Sequence, residues 1–186
     1  VYLSEQLPDL ALAAFRRAIE KNPSQPAARP IREAEVLSQK GGMSQARELL
    51  ALVKSTFGDS IADADRRKLL KLQARLSMAS GGGDADTATI LEEVVQIDPL
   101  DGEALMLLGQ HWNRQQQPDK AILYYERAAR IDGFAANAKV RMAQVYVGMG
   151  RFADALPLLR DAQALRPRED VARYIEQVER ASKSKR

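Results

Sequence analysis

Small and large apolar residues recur along the chain at a separation of 34 positions. Gly109 is answered by Ala143, Trp112 by Tyr146, Ala121 by Ala155, Tyr125 by Leu159, Ala128 by Ala162 and Gly133 by Pro167. Within each half of this echo the apolar positions stand three or four apart, the spacing that gathers side chains on one face of an α-helix. Each half therefore reads as two helices joined by a turn, the second ended by Gly133 or Pro167. Two helices cross closely only where no bulky side chain stands at the crossing, so the small positions mark crossings and the large ones fill the grooves beside them. By this logic Trp112 and Tyr146 are expected in the core.

The same order extends towards the N-terminus. Ala11, Phe15, Ala18 and Pro23 keep the spacing of Ala121, Tyr125, Ala128 and Gly133, and Tyr2 stands nine residues before Ala11 as Trp112 does before Ala121. The chain thus opens inside a first helix and is expected to be a fragment of a longer polypeptide. A further set comprises Ala34 and Leu37, then Ala46, Leu50, Val53 and Gly58, with Gly41-Gly42 at the turn. Thr87, Leu91, Val94 and Pro99 follow 41 residues later, so this unit has a lengthened first helix, 61–80, with Ser60 and Asp63 as its expected capping pair. Leu69, Leu72, Leu76 and Ala79 share a face of that helix, Gly81-Gly82-Gly83 ends it, and Ser77 stands where an aromatic is usual.

Pro8-Asp9 and Pro118-Asp119 begin second helices, with proline where a missing N–H costs nothing and an acid at the positive end of the helix dipole. Pro157 falls within a second helix, where only a place near the first turn would make it cheap. After Pro167, Val171, Tyr174, Ile175, Val178 and Ala181 form the apolar face of one more helix, followed by a basic tail.

A 34-residue helix-turn-helix unit with small, aromatic, small, large and small positions in this order resembles the tetratricopeptide repeat. The resemblance implies an all-α fold, a right-handed superhelical solenoid of antiparallel helix pairs. Its divisions would be a partial repeat at 1–23, repeats at 24–58, 59–99, 100–133 and 134–167, with 59–99 irregular, a C-terminal capping helix at 168–181 and a tail at 182–186. The last helix would cover the apolar face that a terminal repeat exposes.

The resemblance also implies a function. Members of that family bind a peptide or partner helix in a concave groove lined by the first helix of each unit. On this pattern Lys68, Lys71 and Arg75, then Gln110, Asn113 and Arg114, then Asn137, Arg141 and Gln144 face the groove. These groups are hydrogen-bond donors suited to carboxylates and to an extended backbone, so the expected partner is a protein or peptide, and an acidic one fits the charge. Chaperone-binding members grip a terminal carboxylate with Lys and Asn, then Asn, then Lys and Arg. The corresponding places here hold Lys71 and Arg75, then Leu107, then Asn137 and Arg141, so the central amide is missing. The expected function is a non-catalytic interaction scaffold; the alternative is a structural or self-assembly module that mediates oligomerisation or docking in a larger complex.

Composition narrows the field without altering this reading. Of 186 residues 45% are apolar but only 5% aromatic, a mixture suited to closely packed helices. The net charge of +3 is too small to argue for nucleic acid, despite Arg66-Arg67-Lys68 and the basic C-terminus. There is no cysteine, hence no disulfide, thiolate metal site or cysteine nucleophile, and both reducing and oxidising compartments stay open. No apolar run reaches the ~20 residues that span a bilayer, so no membrane insertion is expected in this segment. His111 is the only histidine, has no acid at triad spacing, and is expected on the surface. Asp59, Asp63 and Asp65 lack the glycine and glutamate of a calcium loop, and neither Gly81-Gly82-Gly83 nor Gly148-Met149-Gly150 is followed by the Gly-Lys-Ser/Thr of a phosphate loop. No catalysis, metal or cofactor is expected.

Overall fold

Helix follows helix through the described residues of the computed structural model, 7–80 and 85–184, with no strand among them. The chain divides into two units, Val1–Ile90 and Leu91–Arg186. The first holds α1 (Pro8–Lys21), α2 (Ala28–Gln39), α3 (Met43–Phe57), a 3-10 turn (Gly58–Ser60), α4 (Asp63–Ala79) and the start of α5 (Ala85–Ile97). The second holds the rest of α5, then α6 (Gly102–Arg114), α7 (Pro118–Ala129), α8 (Ala135–Gly148), α9 (Phe152–Leu165) and α10 (Glu169–Ser184).

In the first unit α2 packs on α3, and α1 packs on both. The turn between α2 and α3 needs glycine: Gly41 adopts φ +90°, and the amide of Gly42 donates to the Leu37 carbonyl at 2.9 Å. Three connecting residues leave no room for anything but an antiparallel pair. Ala34 and Ala46 are fully buried at the crossing, with Leu37, Leu49, Leu50 and Val53 around them.

The irregular first helix departs from expectation at both ends. Ser60 does not cap it. Residues Gly58–Ser60 close a 3-10 turn in which the Ser60 hydroxyl donates to the Phe57 carbonyl, and α4 starts at Asp63 with Ala62 as an N-cap that offers no side chain. Leu69, Leu72 and Leu76 are buried as expected, together with Leu70, Ala74 and Met78, but Ala79 is exposed. Ser77, in the place of an aromatic, shares a 2.8 Å hydrogen bond with the hydroxyl of the fully buried Thr87. A matched polar pair thus stands where an apolar contact was expected, and neither hydroxyl is left unsatisfied. The glycine turn 81–83 and Tyr2 lie outside the described residues.

In the second unit α6 pairs with α7 and α8 with α9, while α10 packs on α9. Asp101 caps α6, its carboxylate accepting from the Ala104 amide at 2.9 Å. Pro118 opens α7 as Pro8 opens α1, each in the first turn. Ala121, Ala128, Ala155 and Ala162 are buried at the crossings. Val171 and Val178 of α10 join Ala143, Ala155 and Leu159 in one cluster, with Tyr174 and Ile175 packed alongside. The helix continues to Ser184, so Ser182 to Ser184 are helical where a tail was expected. The apolar periodicity carries on to the half-buried Ala181, and Arg180 pairs with Glu176 on the opposite face. Lys185 and Arg186 lie outside the described residues.

Of two expectations for α6, that for His111 is reversed and that for Trp112 is met in part. His111 is buried at 2% exposure, whereas Trp112 is only half-buried. Ala104, Leu105, Leu108 and His111 follow one another at helical spacing on the inward face. Trp112 lies one position, and so about 100°, further round the helix. Its ring rests on the edge of the Tyr125 cluster, with the Lys120 ammonium 4.0 Å from its centroid. Tyr146 repeats the arrangement, half-buried under the Arg151 guanidinium at 4.7 Å. The aromatic position of the repeat is here the roof of the core, closed by a cation.

Pro157 is the sixth residue of α9 and so stands beyond its first turn. It lies on the exposed face, as does Ala153, whose carbonyl would otherwise accept the missing N–H. Water can satisfy that carbonyl, which moderates the cost of proline at this place.

Candidate interaction surface

Six of the nine donors expected at a groove belong to the second unit. α6 carries Gln110, Asn113 and Arg114; α8 carries Asn137, Arg141 and Gln144. The charges of two of them act on one residue of α7. The Tyr125 side chain is buried beneath Gly109, yet the charges of Arg141 and Arg114 both act on its hydroxyl. Burial pushes the phenol up to about 12, and the two guanidinium groups, favouring phenolate, oppose that rise. Two exposed cations from different helices thus act on one hydroxyl. Periodicity assigned Tyr125 nothing beyond its bulk; the signal was that tyrosine, rather than leucine, fills this large position.

Several of these donors have partners within the chain. Arg141 donates to the Gln144 side-chain oxygen at 3.1 Å, one turn on along α8. The Asn137 side-chain oxygen accepts from Arg168 at 3.3 Å, and Arg168 in turn makes a two-pronged contact with Asp170 at 3.0 and 2.6 Å. Arg168 holds the Asp170 carboxyl below the ordinary carboxylate range. Asn137 is therefore tied to the start of α10, while Arg141 remains exposed beside Gln144.

In the first unit α4 presents Lys68, Lys71 and Arg75. Lys68 pairs with Asp65 at 3.4 Å, and Arg75 lies 3.7 Å from Glu35 of α2. Glu35 was not anticipated, and it offsets part of the positive charge assigned to this face. A cavity of about 570 Å³ also opens in this unit between α3, α4 and the first turns of α5, lined by Leu50, Lys54, Ser77 and Asp86 among others. None of Lys68, Lys71 and Arg75 lines it.

The buried His111 faces a small polar group rather than a catalytic one. Glu92 accepts from the Tyr124 hydroxyl at 3.1 Å, and burial depresses the His111 pKa against the attraction of Glu92. Among the described residues no three histidine, aspartate or glutamate side chains are placed to hold a metal ion, and no helix is long and apolar enough to cross a membrane.

Residues 85–136 match the family model of the tetratricopeptide repeat. Solved structures of such proteins share the fold. The crystal structure of MamA is 17% identical, with 93% of this chain and 95% of that one covered at a TM-score of 0.72. A thermophilic repeat protein of this kind from Thermus thermophilus is also 17% identical, with 94% and 92% covered at 0.61. YrrB, described as having an unusual peptide-binding site, is 18% identical, with 88% and 98% covered at 0.54. No curated protein gives a significant match in sequence. The family match over residues 85–136 and the fold shared with these structures make the architecture of the chain that of the tetratricopeptide repeat. Such repeats serve in general as non-enzymatic scaffolds for protein interaction.

Proposed function

We propose that this scaffold binds an acidic peptide or partner segment across α6 and α8, with Arg114 and Arg141 as its principal contacts. The reading rests on one observation: exposed cations from two first-type helices both act electrostatically on the same hydroxyl, that of Tyr125. A carboxylate that approaches this face meets two guanidinium groups, each able to donate two parallel hydrogen bonds. Gln110, Asn113 and Gln144 then offer amides to the peptide backbone. The likeness to YrrB, described as having a peptide-binding site, is consistent with this use of the fold.

Titration of a fluorescent ten-residue glutamate-rich peptide tests the proposal. Binding should weaken as salt rises, because the charges are exposed. An Arg114→Glu, Arg141→Glu variant should lose roughly tenfold or more in affinity, since at least one charge-assisted contact is replaced by repulsion. Equal affinity of variant and wild type would sink the idea.

A further inference from the structure

An apolar cluster of the second unit is replaced by a cavity in the first. Ile122 of α7, Met142 and Tyr146 of α8 and Leu158 of α9 pack together where one helix pair meets the next. The repeat gives each of them a counterpart. Ala46, Ala74 and Thr87 hold the places of Ala121, Ala143 and Ala155, and all six are buried. Arg47 therefore stands for Ile122, Gln73 for Met142, Ser77 for Tyr146 and Ile90 for Leu158. Three of the four apolar groups have become polar, and all four counterparts line the cavity of about 570 Å³.

The exchange explains the open volume. Ser77 lacks the ring that Tyr146 sets against its cluster, and its hydroxyl is engaged with Thr87 at 2.8 Å. Arg47, in the place of an isoleucine, donates from Nη2 to the Leu76 carbonyl at 2.6 Å. Both side chains are held by hydrogen bonds instead of apolar packing. The turn after α4 is no substitute for the lost bulk. In the second unit the residues between α8 and α9 take no part in the cluster, and Gly81-Gly82-Gly83 carry no side chains.

The same two bonds orient the walls. Arg47, near the start of α3, meets Leu76, near the end of α4; Ser77, near the end of α4, meets Thr87, near the start of α5. α4 thus runs antiparallel to α3 and to the start of α5. One end of the cavity accordingly holds Arg47, Ser80 and Asp86, where guanidinium and carboxylate offset each other. The other end holds Lys54 and Gln73. The Lys54 ammonium pairs with no carboxylate among the described residues, so the excess positive charge lies at that end. Leu50, Ala51 and Ile90 supply apolar surface between the two ends.

We propose that this cavity is a binding site for a small organic anion, a molecule with one acidic group on an apolar body. The acidic group meets Lys54, with the Gln73 amide as a second donor. The body lies on Leu50, Ala51 and Ile90, in the space that Met142 and Tyr146 fill in the second unit. A volume of this order, with apolar walls and a few polar groups, is ordinary for a small-molecule site. The site belongs to the first unit and uses none of the α6 and α8 donors, so either assignment can fail without the other.

Anilinonaphthalene sulfonate, one sulfonate on an apolar ring system, provides the probe, since its fluorescence rises on leaving water for an apolar site. With the whole chain it should give a saturable rise. Lys54→Glu should weaken its binding about tenfold or more, as a charge-assisted contact becomes a repulsion. The same variant should leave unchanged the affinity for phenylnaphthylamine, which has the same rings and no sulfonate. A Gln73→Met, Ser77→Tyr, Thr87→Ala variant copies Met142, Tyr146 and Ala155 of the second unit; it should abolish saturable binding of both probes and unfold at no lower temperature. Absence of saturable binding by the wild type overturns the proposal, as does equal affinity of Lys54→Glu and wild type for the sulfonate. So does an equal loss of the neutral probe, because the site then selects no anion, or a folded triple variant that still binds. Where the triple variant does not fold, Lys54→Glu decides alone, since that side chain is exposed.

Discussion

A Cβ added to Gly109 would stand 2.4 Å from Cε1 of the Tyr125 ring, closer than any real methyl group approaches. The small position of the first helix and the large position of the second are therefore one fitted contact. One repeat later the same contact is made by Ala143 and Leu159, with one carbon more on the first side chain and a smaller group on the second.

Gly109→Ala should therefore destabilise the fold by about 1–3 kcal/mol through overpacking, although alanine favours helix over glycine by about 1 kcal/mol. Tyr125→Leu alone should also destabilise, by leaving a void. The double variant reproduces the pair of the following repeat and should recover much of the loss, giving a clear coupling energy in a denaturant double-mutant cycle. Additive losses would show that the two contacts are not interchangeable.

Gln116 adopts φ +56° in the turn between α6 and α7, at the place where the other turns carry Gly41 at φ +90° and Gly150 at φ +74°. A side chain in this left-handed region costs roughly 1–2 kcal/mol, and part of that is recovered by any residue that lacks Cβ. Gln116→Gly should raise stability by about 0.5–1 kcal/mol. Gln116→Ala keeps the Cβ and should bring no gain. Urea midpoints of the two variants check the difference.

Pro157→Ala should restore the hydrogen bond to the Ala153 carbonyl within α9. The full interior penalty of proline is about 3 kcal/mol, and the exposed setting reduces it, so a gain of roughly 1–3 kcal/mol is expected. An unchanged melting temperature would mean that α9 has already relaxed around the proline.

His111 couples stability to pH. Burial lowers its pKa from the ordinary 6.5, so near that value the unfolded chain binds a proton that the folded chain does not. The stability it contributes is complete above the unfolded pKa and is lost as pH falls below about 6.5 towards the lowered folded value. A His111→Asn variant should show a shallower fall in denaturation midpoint between about pH 7 and pH 5. Identical pH slopes would count against the buried neutral imidazole.

The helices and their pairing were legible because both follow from local spacing: three or four residues between apolar groups, glycine or proline at the stops, and one pattern read several times over. The departures have a different origin. Ser60 looked like a cap, but the preceding residues spend that hydroxyl on closing a 3-10 turn. His111 and Trp112 are neighbours in sequence, but the imidazole lies on the buried face of α6 while the indole, about 100° further round, packs at the edge of the Tyr125 cluster. The donor positions were expected from the resemblance to the repeat. Their state was not: Asn137 is held by Arg168, and Arg75 lies near Glu35, over distances that no local pattern spans.

The sequence by itself thus determined the repeat, since a period of 34 with small residues at the crossings admits one kind of helix pair. Tertiary structure decided what surrounds each of those positions. Arg114 on α6 and Arg141 on α8 both act on the Tyr125 hydroxyl, and Leu10 of α1 stays exposed. Both are properties of neighbours brought together in space, and periodicity along one helix carries no record of what stands opposite.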